Sequence, residues 1–333
     1  PAASRERLSE PMAEVESPGL TSGESAKPAL STVEETYKAR DVEGWLDLHF
    51  YRPIGFRLAR FFAFLRLTPS TVSLLGGGIG IAAGHFYYYP DLRLNLIGMA
   101  LQVAGNAFDN ADGQLARLTN QASLVGAVVD GFADYLVFLS IYVHIALRYI
   151  AEGGSHAIWL LAIAAGISHA VQSMVADFYR DGYLYFAARK PRGKMDSAHE
   201  ARGAYEGISW RETSKKLAMR AYLNYVQPQE ALVPKLRQLH KSFHGGVPEW
   251  LTREYRQSCR PLLKWGRLLA TNSRMFLLFM FLLLARPHWF FWSEITLFNF
   301  VLIFLLLRHE GIYGRLLSMG PQNGAATLRR GMS

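Results

Sequence analysis

The chain has 333 residues, half of them hydrophobic, with a formal net charge of +9. Its one cysteine, Cys259, excludes an intrachain disulfide framework. A mean hydropathy of +0.06 is high for a soluble protein and low for one wholly immersed in lipid, so a membrane core with polar appendages is expected. The basic balance alone suits nucleic acid, anionic lipid or phosphorylated substrates equally.

Residues 1–36 are rich in Pro, Ser, Gly and Glu and hold no apolar h-region, so a disordered tail is expected there rather than a secretory signal. The sequence starts at Pro1, without an initiator methionine. From Trp45, WLDLHFYRPIGFRLARFFAFLRL sets arginines between Leu46, Phe50, Ile54, Phe61 and Leu65. That pattern predicts an interfacial helix on anionic lipid, broken near Pro53; a cytoplasmic helix packed on its own protein is the competing reading.

Apolar stretches of about 20 residues, enough to cross a bilayer, then recur six times. They lie near Pro69–Tyr88, Leu94–Leu118, Ser123–Ile150, Ala157–Phe178, Leu268–Leu284 and Phe291–Leu307. Loops on one side carry only Arg93, Arg148 and Arg286. The other side carries Arg52, Arg57, Arg60, Arg66, Arg117, Arg308, Arg315, Arg329 and Arg330, with the Lys- and Arg-rich segment from Arg180 to Arg267. The positive-inside bias therefore places both termini in the cytoplasm.

The expected fold is all-α, a polytopic membrane protein with six transmembrane helices, an N-terminal interfacial helix and a cytoplasmic helical insert between spans four and five. In residue numbers this gives a tail over 1–36, a catalytic core of interfacial helix and spans one to four over 37–185, and the insert over 186–264. Spans five and six fill 265–310, and a cytoplasmic tail follows over 311–333. Within the insert, ETSKKLAMRAYLNYV and QEALVPKLRQLHKSF read as short amphipathic helices interrupted at Pro228, Pro234 and Pro248. Capping the site, binding a partner and lying along the membrane all remain open for it.

Two familiar patterns are set aside. GGGIGIAAG contains the dinucleotide spacing at Gly78, Gly80 and Ala83, but it sits inside an apolar helix with no βαβ unit around it. Gly76, Gly80 and Gly84 recur every four residues, as in transmembrane helices that approach closely. His240 and His244 have zinc-like spacing without the glutamate of H-E-x-x-H, so a solvated helix face is expected. No nucleic-acid module is identifiable, and no nucleic-acid partner is expected.

The chemistry concentrates in DNADGQLARLTNQASLVGAVVDGFAD, which runs from Asp109 to Asp134. Asp109 and Asp112 share one helical face, and Asp130 and Asp134 share another. Two antiparallel helices joined around Thr119–Ala122 can turn these faces toward one another. Buried carboxylates cost several kcal/mol each and repel, and Arg117 offsets only one charge. Two divalent cations would neutralise the four acids, and all-oxygen ligation suits Mg²⁺, Mn²⁺ or Ca²⁺ rather than zinc or copper. A metal pair about 4 Å apart clamps in-line displacement at phosphorus. Gly113 and Gly126 leave room for a ligand or a helix contact, and Arg117 can fork onto a phosphate. On residue chemistry alone this is a metal-dependent phosphoryl-transfer site at the cytosolic membrane face; water-exposed helix-end acids are the plainer alternative.

Written as Asp109-x2-Asp112-Gly113-x2-Ala116-Arg117-x8-Gly126-x3-Asp130-x3-Asp134, the segment resembles the signature of the CDP-alcohol phosphatidyltransferases (CDP-alcohol phosphotransferases) at all eight fixed positions. LTPSTVSLLG is similar to the family's opening of the first span, while the long insert departs from its compact members. The resemblance implies an enzyme that transfers a substituted phosphate from a CDP-alcohol to a hydroxyl and releases CMP in phospholipid biosynthesis. It implies that Asp109, Asp112 and Asp130 hold two divalent metals, with Asp134 joining the second and acting as general base. It assigns Gly113, Ala116, Arg117 and Gly126 to the nucleotide, and it implies a homodimer in a membrane, with a bacterial inner membrane favoured.

Gly131 and Phe132 follow Asp130 where the CDP-choline and CDP-ethanolamine branch, acting on diacylglycerol, tends to have histidine. The sequence therefore leans to CDP-diacylglycerol as donor, with inositol, inositol phosphate, glycerol phosphate or serine as acceptor. On the fourth span, HAVQSMVADFYRDGY offers His169, Gln172, Asp177, Arg180 and Asp181; Arg180 is a candidate for an acceptor phosphate or a positive-inside anchor. A carboxylate-lined transporter is the reading from a different class.

Overall fold

The computed structural model describes residues 39, 41–188, 198–243 and 246–330; the tail expected over 1–36 and His244 lie outside them. Among the described residues every regular element is helical. A π-turn over Asp47–Tyr51 leads into α1, Arg52–Phe64. Pro53 does not break this helix as expected. It falls in the first turn of α1, where a proline N–H is dispensable, and the widened bond from Arg52 N–H to Asp47 O carries the backbone through.

Three long helices follow, each started by a side-chain cap. Thr68 caps α2, Pro69–Phe86; Asp91 caps α3, Leu92–Leu118; Ser123 caps α4, Leu124–Ala151. Then comes α5, Ile158–Phe186. The insert folds as α6, Ala198–Gly207; α7, Thr213–Leu232; α8, Pro234–Ser242; α9, Glu249–Cys259; and α10, Leu263–Leu268. Pro234 and Pro248 do mark helix starts, but α7 runs through Pro228. Buried Val226 and Glu230 flank it, and Gln229 donates to Met174 O of α5 at 3.2 Å, so tertiary anchoring outweighs one lost backbone bond. The chain ends in α11, Thr271–Leu283; α12, Trp289–Ser293; a π-turn, Glu294–Phe298; and α13, Asn299–Arg330. The last helix thus continues beyond Leu307, the expected end of the sixth stretch.

Among the described residues four runs are long and apolar enough to cross a membrane: Leu124–Ala151, Ile158–Phe186, Glu249–Leu283 and Trp289–Gly320. The five glycines of α2 and the Arg93, Asp109, Asp112 and Arg117 charges of α3 lower the hydropathy of those two helices.

Packing around α2 explains its glycines. A Cβ on Gly76 would lie 2.8 Å from Phe108 Cβ of α3, one on Gly80 2.6 Å from Val137 of α4, and one on Gly84 2.9 Å from the Ile141 nitrogen of α4. From α3, a Cβ on Gly105 would stand 3.1 Å from Gly76 O and 3.3 Å from Gly80 N, so this glycine faces the α2 backbone. Helix α2 therefore lies flush against both partners, and the small-residue reading of GGGIGIAAG holds. At the far end buried Arg148 of α4 reaches Tyr87 O, Asn95 Oδ1 and Glu152 at 3.4, 3.5 and 2.9 Å, tying the three helices together. Deeper in the bundle, buried Arg274 of α11 pairs with Glu294 and donates to Gln172 Oε1 of α5 at 2.9 Å, so a cation inside an apolar run is neutralised in place.

The insert is packed on the protein. Leu236, Leu239, Leu251 and Tyr255 share one core with Tyr183 and Phe186 of α5 and Tyr313 of α13. His240 is buried with its ring 4.9 Å from that of Tyr185, which corrects the expectation of a solvated face.

Gly84→Ala would push against backbone and should destabilise the protein by about 1–3 kcal/mol. Gly78, with nothing within 4 Å of where a Cβ would stand, should accept alanine with unchanged or slightly raised stability. Thermal unfolding in detergent separates the two, and equal losses would contradict the flush packing.

Candidate active site at the aspartate cluster

Helix α2 is the wedge on which the site is built. It packs along both α3 and α4, whereas α3 and α4 scarcely touch each other. The expected face-to-face pairing of the two aspartate helices is therefore replaced by a three-helix arrangement, with glycines where a wedge with side chains would force the acids apart.

Over that glycine surface, one carboxylate oxygen from each of Asp109, Asp112 and Asp130 lies within 4.8 Å of the others. Asp130 is within hydrogen-bonding reach of both α3 acids. From α2, the Ser73 hydroxyl donates to Asp112 Oδ2, and Asp112 is buried. Asp134, one turn along α4, stands outside this tight trio. It lines the same cavity as Asp109 and Asp130, whose wall is formed by Gly76, Gly77 and Gly80. Carboxylates this close repel unless protons or cations intervene, and a set of oxygen donors with a neighbouring hydroxyl fits a hard divalent cation.

The remaining motif residues surround the open end. Arg117 folds back over Gly113, its Nη1 3.4 Å from where a Cβ would stand, so the glycine gives the guanidinium its place. Ala116 is half-buried beside it on α3. The Gly126 N–H donates to Ser123 Oγ at 3.0 Å, and a Cβ there would stand 3.6 Å from Ser70 Oγ. An added Cβ would thus meet Ser70 of α2 at ordinary contact distance, with its own helix's Ser123 as the tighter neighbour.

Arg180 sits in a neighbouring cluster towards the end of α5, whose Asp177 lies near enough to Asp134 for their charges to interact. Its Nη1 is 2.8 Å from Asp177 Oδ1 and its Nε 3.5 Å from Asp181 Oδ1. Tyr225, on α7 of the insert, donates to Asp177 Oδ2 at 2.8 Å. Burial, reinforced by the Asp177 charge, pushes the Tyr225 phenol well above its ordinary range, so it stays a donor.

Sequence reasoning missed Ser73, Tyr225 and a set of amides. Asn106 of α3 donates to Asn272 of α11 at 3.3 Å, and Asn272 donates to Asp47, ahead of α1, at 2.7 Å. Gln102 lies one turn further along α3. A signal for the amides was available: Gln102, Asn106 and Asp109 follow one helical face at i, i+4 and i+7. Ser73 and Tyr225 carry no such signal, because each reaches its aspartate from a separate helix.

Residues 59–194 match the family model for CDP-alcohol phosphatidyltransferase. That stretch contains every fixed position of the motif and brings its three metal-type acids together in space. This stretch of the chain is thus similar to the CDP-alcohol phosphatidyltransferases, within a protein that has helices long and apolar enough to cross a membrane. No curated protein and no solved structure matches it. Proteins of that family use a CDP-alcohol donor and an alcohol acceptor at a membrane, and the aspartate trio is consistent with the family's dependence on divalent metal. The match stops at residue 194, so helices α6 to α13 lie outside it.

Loss of a hydrogen-bonding partner behind a metal ligand costs 10–100-fold in affinity. Ser73→Ala should weaken Mn²⁺ binding by about that factor, and Asp130→Asn by more, in an electron paramagnetic resonance titration of folded protein. Unchanged affinity in both variants would remove the metal from the trio.

Proposed function

We propose that the protein transfers a substituted phosphate from CDP-diacylglycerol to the hydroxyl of an acceptor, releasing CMP, at the cytoplasmic face of a six-span membrane bundle. The observation that carries this reading is the convergence of Asp109, Asp112 and Asp130 within 4.8 Å, inside the segment that matches the family. Helices α2 and α3 are assigned as spans one and two. They lie flush with α4 and present Leu74, Leu75, Ile81, Leu96 and Ile97 outward, as lipid-facing helices do. For α1, the two sequence readings combine: a Cβ on Gly55 would stand 3.2 Å from the Asn110 backbone, while Arg57, Arg60, Phe61 and Phe64 remain exposed for the interface. These arginines and the insert lie at the aspartate end, which supports a cytoplasmic site.

Asp109, Asp112 and Asp130 would hold Mg²⁺ or Mn²⁺, with Asp134 completing a second position; bound there, two cations would offset charge on the donor pyrophosphate. Arg117 forks onto the nucleotide phosphates over Gly113 and Ala116. Gly126, beside the N-terminus of α4, keeps backbone N–H groups accessible to the same anion. Asp134 takes the proton from the acceptor hydroxyl. The hydroxyl oxygen then bonds to the phosphorus that carries the lipid alcohol, the bridging P–O bond breaks, and CMP leaves with the electron pair. We assign Arg180 to holding Asp177 rather than to an acceptor phosphate, because Asp177 and Asp181 already flank its charge. Gly131 and Phe132 after Asp130 support CDP-diacylglycerol over CDP-choline or CDP-ethanolamine as donor.

General-base catalysis contributes roughly 10²–10⁴-fold. Asp134→Asn should lower kcat by about that factor in a CMP-release assay with Mn²⁺, CDP-alcohols and acceptors, while Mn²⁺ binding at the trio persists. Full turnover by this variant would remove Asp134 as the base.

A further inference from the structure

The cavity beneath the aspartates has a polar floor that the transfer mechanism does not use. Gln102 is 4 % exposed and lines this cavity with Asn106, Asp109 and Asp134. Its side-chain oxygen is buried and has no hydrogen-bond partner among the described residues. Such an acceptor is costly to leave without a donor, and most buried polar atoms have one. Asn106 is held by Asn272, so this face of α3 is kept in register rather than free to turn away.

The lining also has a definite charge character. Among the described residues that form the cavity none is Lys, Arg or His; its polar groups are the aspartates, Gln102, Asn106, Ser73 and Thr271. A phosphate or carboxylate on the acceptor would therefore find no cation among the cavity's lining residues, the nearby Arg180 being held by Asp177 and Asp181, whereas hydroxyl groups find amide and hydroxyl partners. Gln102 and Asp134 line the same cavity, so a small molecule with several hydroxyls can present one to each.

We propose that Gln102 accepts a hydrogen bond from a second hydroxyl of the acceptor and thereby selects an uncharged polyol. This rests on the transferase reading above. Gln102 is a specificity-determining residue, distinct from the metal-holding acids and from Asp134.

The test uses full-length protein in detergent or nanodiscs with CDP-diacylglycerol and Mn²⁺, and follows both CMP and the lipid product. Acceptors are glycerol and inositol, then glycerol 3-phosphate and inositol 1-phosphate, then serine and diacylglycerol. Wild type should favour a neutral polyol by at least about tenfold in kcat/KM. Gln102→Met, which keeps length but removes the amide, should raise the KM for that polyol about tenfold, the size of one neutral hydrogen bond. The KM for the donor should not move. Preference for a phosphorylated acceptor, serine or diacylglycerol overturns the proposal and leaves the transferase intact. So does a variant that loses stability with the polyol KM unchanged, the outcome if Gln102 merely holds a water. If Gln102→Met fails to fold, the wild-type acceptor ranking decides alone. No CMP from any acceptor overturns the transferase reading itself, and this inference with it.

Discussion

Close contact between α2 and its two neighbours is the constraint on which the site depends. Helices that carry side chains at a three-way contact stand apart by the width of those side chains, and carboxylates at the end of such a bundle would be held apart too. Here Gly76, Gly80 and Gly105 bring backbone against backbone. The trio of acids can then converge although α3 and α4 scarcely meet. The lipid environment adds a reason for this construction: without a hydrophobic driving force between helices, close packing of small residues is a main source of association. Arg148 ties the other end of the same three helices through Tyr87 and Asn95, so the wedge is held at both ends.

Charge is managed differently in the two halves of the bundle. Outside the family-matched segment, Arg274 and Glu294 neutralise each other in the apolar interior, with Gln172 and Asn299 completing the hydrogen bonds. Such a pair brings little net stability but holds α5, α11 and the π-turn at Glu294–Phe298 in one arrangement. At the aspartate end the acids outnumber any cation placed among them, and one hydroxyl from Ser73 supports Asp112. The contrast is physical: a closed network is structural, while an excess of one sign in an open cavity is suited to cations and to the phosphates they bind.

The insert joins these halves at the aspartate end. Its core residues pack on α5 and α13, and α7 also reaches α4. Through Tyr225 and Asp177, an element outside the family match contacts α5 inside it. Glycine spacing in α2, the pairing of acids on α3 and α4, and the apolar stretches were all legible along the chain, because each is a periodicity within one helix. Pro228 inside α7 and the burial of His240 were not, since each depends on what a distant helix supplies. The π-turn before Pro53 was hidden for a related reason: a backbone that can widen locally does not have to break.

The sequence by itself determined the helical class and the eight-position motif, because residue type and spacing along a helix are local properties. The tertiary structure decided which acids meet. It placed α2 between the aspartate helices, gathered Asp109, Asp112 and Asp130 while leaving Asp134 on the cavity wall, and paired Arg180 with two acids. It also turned Gln102 and Asn106 toward that cavity. These outcomes rest on contacts between helices, and no periodicity within one helix specifies which neighbour will fill the space beside it.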